Sequence, residues 1–326
     1  MLRLISDLKR RVLDGQELTR AEALQLMALD AQDQEILSAL EQAADEIRGY
    51  FNGDRVDLCS ILNVKSGLCS ENCVYCAQSA HYHTTADEYD WLPYDEILAH
   101  AQAMETAGVG RFSLVSSGRG LSSKLLPVVT QTYEKLSRDT NISLCASHVL
   151  LTYEQALALK AAGVYRYHHN LESGRGFFEH ICTTHTYDDR ISTIKNAQKA
   201  GLDVCSGGII GLGESQADRV DMALDLRALG IKSMPVNVLN PIPDTPLADQ
   251  ELLSAGEILK TLAVFRFTLP RAVIRFAGGR RALDAEEQAQ GFHAGANGAI
   301  VGDLLTTVGN NIEQDKAMLI NMNFEI

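Results

Sequence analysis

Short runs of apolar and β-branched residues recur along this chain, separated by longer stretches whose apolar positions repeat at helical spacing. The short runs, each of buried-strand length, are Val56–Leu62, Arg111–Ser116, Ile142–Ser147, Val164–Leu171, Val204–Ile210, Ser233–Leu239, Ala272–Phe276 and Ala299–Val301. Helical patterns lie between them, among them Tyr94–Thr106, Tyr153–Ala162, Asp188–Ala200, Ser215–Leu229 and Leu252–Phe267. Gly108, Gly163, Gly201 and Gly230 each stand just past a helical pattern and just before a strand, where a helix ends on a residue that accepts a left-handed backbone. Eight strands alternating with helices predict an α/β fold, a (β/α)₈ TIM-type barrel with an N-terminal helical extension. A doubly wound open sheet is the alternative, and the even spacing favours closure. Residues 1–50 are expected to form the helical extension, and 51–326 the barrel with its C-terminal segment.

Composition narrows the function. The chain has 326 residues, 46% of them apolar, and 29 basic against 42 acidic residues give a net charge of −13. Such an acidic surface speaks against nucleic acid and anionic membrane as partners, because both are bound by a basic footprint. No apolar run reaches the length of a membrane span, and the first residues alternate charge with leucine, unlike a signal peptide. The expected compartment is the cytoplasm, where seven cysteines read as metal ligands or catalytic groups rather than a disulfide framework.

Three of the seven cysteines fall in one run, Cys69-Ser-Glu-Asn-Cys73-Val-Tyr-Cys76. One reading is half of a zinc site, with His81 and His83 close behind. The remaining cysteines are isolated, so a second cysteine pair to complete such a site is missing. The other reading is an iron–sulfur centre, which thiolates equally favour. Three thiolates fall one short of a four-iron cluster and leave one iron open to a small ligand. The run starts where the first strand ends, which in a barrel is the catalytic face.

This spacing, with Tyr75 before the last cysteine, resembles the cluster motif of radical S-adenosylmethionine (SAM) enzymes. Within that superfamily, further segments are similar to the biotin synthase family: Lys65-Ser-Gly-Leu-Cys69, Tyr167-His-His-Asn-Leu171, Thr183 to Arg190, Cys205 to Glu214, Pro235-Val-Asn237, Arg275 to Arg280, and Gly302 to Gly309. The resemblance implies a [4Fe–4S] cluster on Cys69, Cys73 and Cys76, and SAM on its open iron. One electron then cleaves SAM, and sulfur from a second, auxiliary iron–sulfur cluster deep in the barrel is inserted into dethiobiotin at two unactivated carbons. It further implies that Arg190 holds the SAM carboxylate and Glu172 the ribose hydroxyls. Gly207, Gly208 and Gly211 would let backbone approach the adenosyl group, and Asn170 and Asn237 would pair with the cyclic urea of the substrate. Each has a plainer reading: Arg190 as an ion pair, Glu172 as a solvated acid, the glycines as packing positions and the asparagines as turn residues. His168 and His169 read as packing or network residues.

The chain departs from the family at one place. The auxiliary cluster implied by the resemblance has three cysteines and one arginine, matched here by Cys145, Cys205 and Arg275. The strand-two position is Ser113, and a hydroxyl is a harder, far less acidic ligand than a thiol. Cys59, on the neighbouring first strand, is expected to take over. Cys59, Cys145 and Cys205 then make a second three-thiolate set, fitting a four-iron cluster with an exchangeable sulfide; a [2Fe–2S] cluster retaining Arg275 is the competing form. Cys182 lies off the strands and reads as a bystander, ligation being the lesser alternative.

Two other functions remain open from the sequence. One is another radical SAM enzyme of the same subgroup, a hydrogenase maturase or methylornithine synthase. The other is an iron–sulfur carrier or electron-transfer protein, which would need no SAM-binding residues. The resemblance also implies a flavodoxin- or ferredoxin-type electron donor, iron–sulfur assembly machinery and a homodimer.

Overall fold

The structure, a computed structural model, describes residues 1–307 and 309–326. Val308, inside the Gly302–Gly309 motif, lies outside the described residues. Nine strands are described: β1 (Asp57–Lys65), β2 (Arg111–Ser116), β3 (Ser143–Ser147), β4 (Arg166–His168), β5 (Asp203–Cys205), β6 (Gly208–Ile210), β7 (Ser233–Val238), β8 (Val273–Phe276) and β9 (Gly298–Ile300). Every neighbouring pair is parallel, and β5 and β6 both pair with β7. They are two halves of one stave, so the ring closes with eight staves, as the strand pattern predicts. The expected continuous run Val204–Ile210 breaks at Ser206–Gly207. There the Gly207 N–H turns to the Asn170 side chain, at 3.1 Å, and the Ser206 N–H to the Ser233 carbonyl, at 3.0 Å.

The helices on the ring are α4 (Tyr94–Thr106), α5 (Leu125–Asp139), α6 (Tyr153–Ala161), α7 (Phe178–Ile181), α8 (Tyr187–Lys199), α9 (Gln216–Ala228), α10 (Ala255–Thr268), α11 (Ala285–His293) and α12 (Ile312–Asn321). Helix α5 carries Pro127 in its first turn, where the missing N–H costs no intrahelical hydrogen bond. Where glycines were expected to end helices, all four do so with left-handed backbone, φ running from 67° to 101°. Past α4, for example, the Gly108 N–H reaches the Glu105 carbonyl and the Val109 N–H the Met104 carbonyl, both at 3.0 Å. The N-terminal helices, Leu2–Leu13, Arg20–Met27 and Gln34–Asn52, share one continuous apolar core with the barrel. They cover α10, which is buried on all sides between them and the strands.

Register fixes which side chains meet inside the ring. Passing from β1 through β2 to β3, Cys59 pairs with Arg111 and Arg111 with Ser143, so Cys145 stands two residues further along. The same advance of two leads from Cys145 to Cys205, from Cys205 to Arg275, and from Arg275 back to Cys59. Four steps of two residues give a shear of eight for eight staves, the geometry in which alternate strands supply one level of four inward side chains. Cys59, Cys145, Cys205 and Arg275 are therefore one level of the barrel. The level above, toward the C-terminal ends of the strands, is Ser113, His168, Pro235 and Ile300. The level below is Arg111, Arg166, Ser233 and Gly298, and the lowest is Asp57, Ser143, Asp203 and Val273.

Candidate active site

The first stave ends in a bulge between Asn63 and Lys65, which redirects the chain into a long loop at the C-terminal face. This loop folds back on itself. The Cys69 N–H donates to the Gln78 carbonyl at 3.0 Å, the Ala80 N–H to Cys69 at 2.8 Å, and the Cys76 N–H to Cys73 at 3.0 Å. The Gly118 N–H, past β2, donates to Cys69 Sγ at 3.3 Å. One loop at the barrel mouth thus carries three thiols, Cys69 and Cys73 buried and Cys76 half-buried on the wall of the central cavity. Burial, with the neighbouring Cys69 and Glu172, pushes Cys76 up to about 11. A thiol raised in this way is deprotonated by binding to a metal ion, which the irons of a cluster would provide.

Cys182 is not a distant bystander. It sits on the loop between α7 and α8, docked against the cysteine loop by a bond from the Val74 N–H to the Ile181 carbonyl, at 3.0 Å. Its Sγ lies 3.3 Å from both Asn72 Oδ1 and His185 Nδ1, and 3.2 Å from Thr184 Oγ1. Hydrogen bonds from Cys73, and then from His185 and Thr184, outweigh burial and hold Cys182 at about 3, while Cys73 moves well up. Glu71 completes this buried knot by bonding His185 and Thr184. Glu71 and His185 could have been suspected from their flanking positions, but nothing in their spacing marks them as partners. His81, expected as a zinc alternative, instead bonds the Ser70 carbonyl at 3.1 Å, and His83 joins no metal-ligating group among the described residues.

The residues expected to bind SAM converge at the same mouth. Arg190, on α8, is 4% exposed; its Nη1 donates to the Asn170 carbonyl at 2.8 Å and to Glu172 Oε1 at 3.3 Å. Its Nε has no partner among the described residues. A buried guanidinium with an unused N–H fits a carboxylate ligand. Glu172 is buried and held at φ 72°, pinned by the Ile209 N–H donating to its carbonyl at 2.9 Å. Tyr75 is half-buried, with its phenol near Glu172 and Cys73 and pushed well up, chiefly by burial of that group. Gly207 and Gly208 are required by protein packing: a Cβ at 207 would lie 1.8 Å from the Pro235 carbonyl oxygen, and one at 208 would lie 2.4 Å from that of Glu172. Gly211, at φ 93°, donates to Glu214 Oε1 at 2.9 Å.

Asn170 and Asn237 lie two residues above His168 and Pro235 on their staves. Asn170 Oδ1 accepts the Gly207 N–H at 3.1 Å and its Nδ2 donates to Glu172 at 3.3 Å. Asn237 Oδ1 accepts the Gly278 N–H at 2.9 Å and its Nδ2 donates to the Gly208 carbonyl at 3.1 Å. Each carboxamide keeps one N–H and one lone pair for a ligand. Both face a cavity of about 340 Å³ that runs from Tyr75 and Cys76 at the mouth to Cys59, Cys145 and Cys205 at depth.

At that depth Cys59 does not stand beside Ser113. Ser113 pairs with Ile61 and Cys145, one level up, while Cys59 shares the level of Cys145, Cys205 and Arg275. Burial raises Cys59 to about 11, and Cys145 further, each thiol adding to its neighbours' cost of ionising. Cys205 falls to about 7, because His168, Arg275 and Arg166 more than offset its burial. Ser113 Oγ is buried without a hydrogen-bond partner among the described residues, and Arg275 Nη2, though it makes no hydrogen bond, lies 3.2 Å from the Asp57 carboxylate. Three soft donors on one level fit an inorganic sulfide cluster.

Residues 63–226 match the radical SAM superfamily, and residues 235–325 match the biotin and thiamin synthesis associated domain. The biotin synthase of Clostridioides difficile (strain 630) is 52% identical over 326 residues, covering 100% of both chains. That of Acetivibrio thermocellus is 49% identical over 96% of both. Among solved structures, methylornithine synthase superposes with a TM-score of 0.86 at 18% identity, covering 98% of this chain and 96% of that one. The FeFe-hydrogenase maturase HydG from Carboxydothermus hydrogenoformans gives 0.83 at 19%, covering 98% and 78%. These two share the fold, whereas half of all positions are shared with biotin synthases along the whole length. The chain belongs to the biotin synthase family of radical SAM enzymes.

Proposed function

We infer that the chain makes biotin from dethiobiotin, with Cys69, Cys73 and Cys76 holding the SAM-cleaving [4Fe–4S] cluster and Cys59, Cys145 and Cys205 holding the sulfur-donating one. The observation that carries this reading is the cavity that reaches from Cys76 of the outer set to Cys59, Cys145 and Cys205, with the carboxamides of Asn170 and Asn237 on its wall. When bound, the outer cluster supplies an electron to SAM, and the deoxyadenosyl radical so formed removes hydrogen from the substrate carbons that take sulfur. The rest is positioning. Arg190 fixes the SAM carboxylate and Glu172 the ribose, while Asn170 and Asn237 hold the urea by complementary donor and acceptor pairs. The apolar walls Ile209, Val238 and Leu304 keep water from the radical.

The inner set is read as a four-iron centre with an exchangeable sulfide. Three thiolates on one barrel level leave the fourth position of that level to Arg275, whose buried positive charge suits an anionic sulfide. By its family resemblance the chain is read as a cytoplasmic homodimer served by a flavodoxin or ferredoxin and by iron–sulfur assembly proteins. The test is anaerobic turnover with SAM and a reductant. Release of 5′-deoxyadenosine that depends on dethiobiotin and accompanies biotin is expected; uncoupled or absent release contradicts the reading.

A further inference from the structure

A second cavity opens at the opposite end of the barrel. It has a volume of about 480 Å³ and is bounded by Asp57, Ser143 and Val273 of the lowest level, by Arg111 of the next, and by Gly108 and Gly110 at the foot of β2. Arg111 also bounds the catalytic cavity, so one side chain is common to both walls. It is the strand neighbour of Cys59. Between the lower cavity and the thiols stands only the level of Arg111, Arg166, Ser233 and Gly298, two arginines and two residues of little or no side chain. Barrel interiors are ordinarily filled by packed side chains. Here Asp57, Arg111 and Asp203 each keep 21% of the side chain exposed although they lie inside the ring.

The charges in this region favour an anion. Arg111, Arg166 and Arg275 are paired with only Asp57 and Asp203, leaving one excess positive charge across the thiol level and the two levels beneath it. Gly110 has no conformational need to be glycine: its φ is outside the left-handed region, and an added Cβ would meet only the Leu58 carbonyl, at 3.7 Å. The missing side chain leaves the cavity open.

We propose that this N-terminal cavity is the inlet through which hydrosulfide reaches the level of Cys59, Cys145 and Cys205 to replace the sulfur that leaves in each product. The proposal rests on the reading that this level holds the sulfur donor. The catalytic face is filled by SAM and dethiobiotin, so a separate inlet lets sulfide return without emptying it. Hydrosulfide arrives at the oxidation level of a cluster sulfide, and its passage along Arg111 toward Arg275 makes and breaks no covalent bond.

The test uses cluster-loaded enzyme kept oxidised, so that no turnover occurs, in ³⁴S-labelled sulfide. Label entering acid-labile sulfide is followed by mass spectrometry for wild type, Gly110→Leu and Ser143→Leu, with iron counted in parallel. Both substitutions fill the lower cavity and leave the catalytic face untouched. Uptake about tenfold slower in either folded variant, equivalent to ~1.4 kcal/mol in barrier, with iron unchanged and wild-type uptake persisting when SAM and dethiobiotin are bound, supports the inlet. Equal rates in variants and wild type, or wild-type uptake that stops once SAM and dethiobiotin close the other face, overturns it. Iron enough for one cluster only in wild type would instead remove the second-cluster reading itself.

Discussion

Cys59 and Arg275 occupy one level of the barrel, on the staves either side of β9, with Asp57 bonded to the arginine directly beneath the cysteine. Arg275 Nη1 donates to the Asp57 carbonyl at 2.6 Å and to the Ala299 carbonyl at 3.1 Å, and its Nη2 lies 3.2 Å from the Asp57 carboxylate. One guanidinium therefore ties together the three staves around the Cys59 position. Lysine keeps the charge but cannot serve both carbonyls and the carboxylate from one planar fork. Arg275→Lys is expected to cost roughly 1–3 kcal/mol, read as a lower denaturant midpoint with an unchanged slope. An unaltered midpoint would show that these bonds contribute nothing net.

Arg190 separates SAM binding from substrate binding. With its Nη1 committed to Asn170 and Glu172, the Nε and Nη2 edge of the guanidinium is left for the SAM carboxylate. Arg190→Lys is expected to raise the KM for SAM about tenfold, ~1.4 kcal/mol, with the KM for dethiobiotin nearly unchanged. Parallel increases in both constants would place Arg190 in the general architecture of the site instead.

His148 gives the fold an acid-sensitive point. It is 1% exposed, with Ser116 Oγ 2.8 Å from Nδ1 and Tyr133 Oη 3.4 Å from Nε2, and burial lowers its pKa to about 3. The folded pKa lies below the unfolded value near 6.5, so the unfolded chain binds the proton first. Its contribution to stability is whole above pH 6.5 and declines as the pH falls toward 3, by about 1.4 kcal/mol per pH unit. His148→Gln should flatten the stability profile between pH 6 and 4. A profile as steep as wild type would assign the acid sensitivity to other groups.

Cluster removal should loosen the barrel. The apo-protein retains two sets of buried thiols facing open space, and a group bound only by the folded chain adds stability in proportion to its affinity. Anaerobic calorimetry is expected to give a lower melting temperature for chelator-treated protein than for loaded protein; identical temperatures would mean the clusters do not stabilise the fold.

Most of the fold was readable because each stave is a short apolar run, four of them announced by a glycine that ends the preceding helix, and the eight runs coincide with the eight staves to within a few residues. The split of the fifth stave was hidden, because it depends on the Ser206 and Gly207 N–H groups turning to Ser233 and Asn170, partners that only the closed ring brings near. The cysteine loop and Arg190 stood out by spacing and by family resemblance. The alignment of Cys59 with Cys145 and Cys205 did not, because shear is a property of the closed ring and no single strand carries it. Sequence adjacency suggested that Cys59 stands beside Ser113; the ring places them on different levels. The Glu71–His185–Cys182 knot was equally hidden, depending on two loops that meet only in the folded barrel.

The central claim, that the level of Cys59, Cys145 and Cys205 holds the second cluster, is tested most directly by Mössbauer and iron analysis of anaerobically loaded Cys59→Ala beside wild type. The account predicts about eight iron atoms per chain in wild type and about four in the variant, the four remaining as an intact SAM-binding [4Fe–4S] centre. Eight iron atoms and an unchanged second-cluster signal in Cys59→Ala would contradict it.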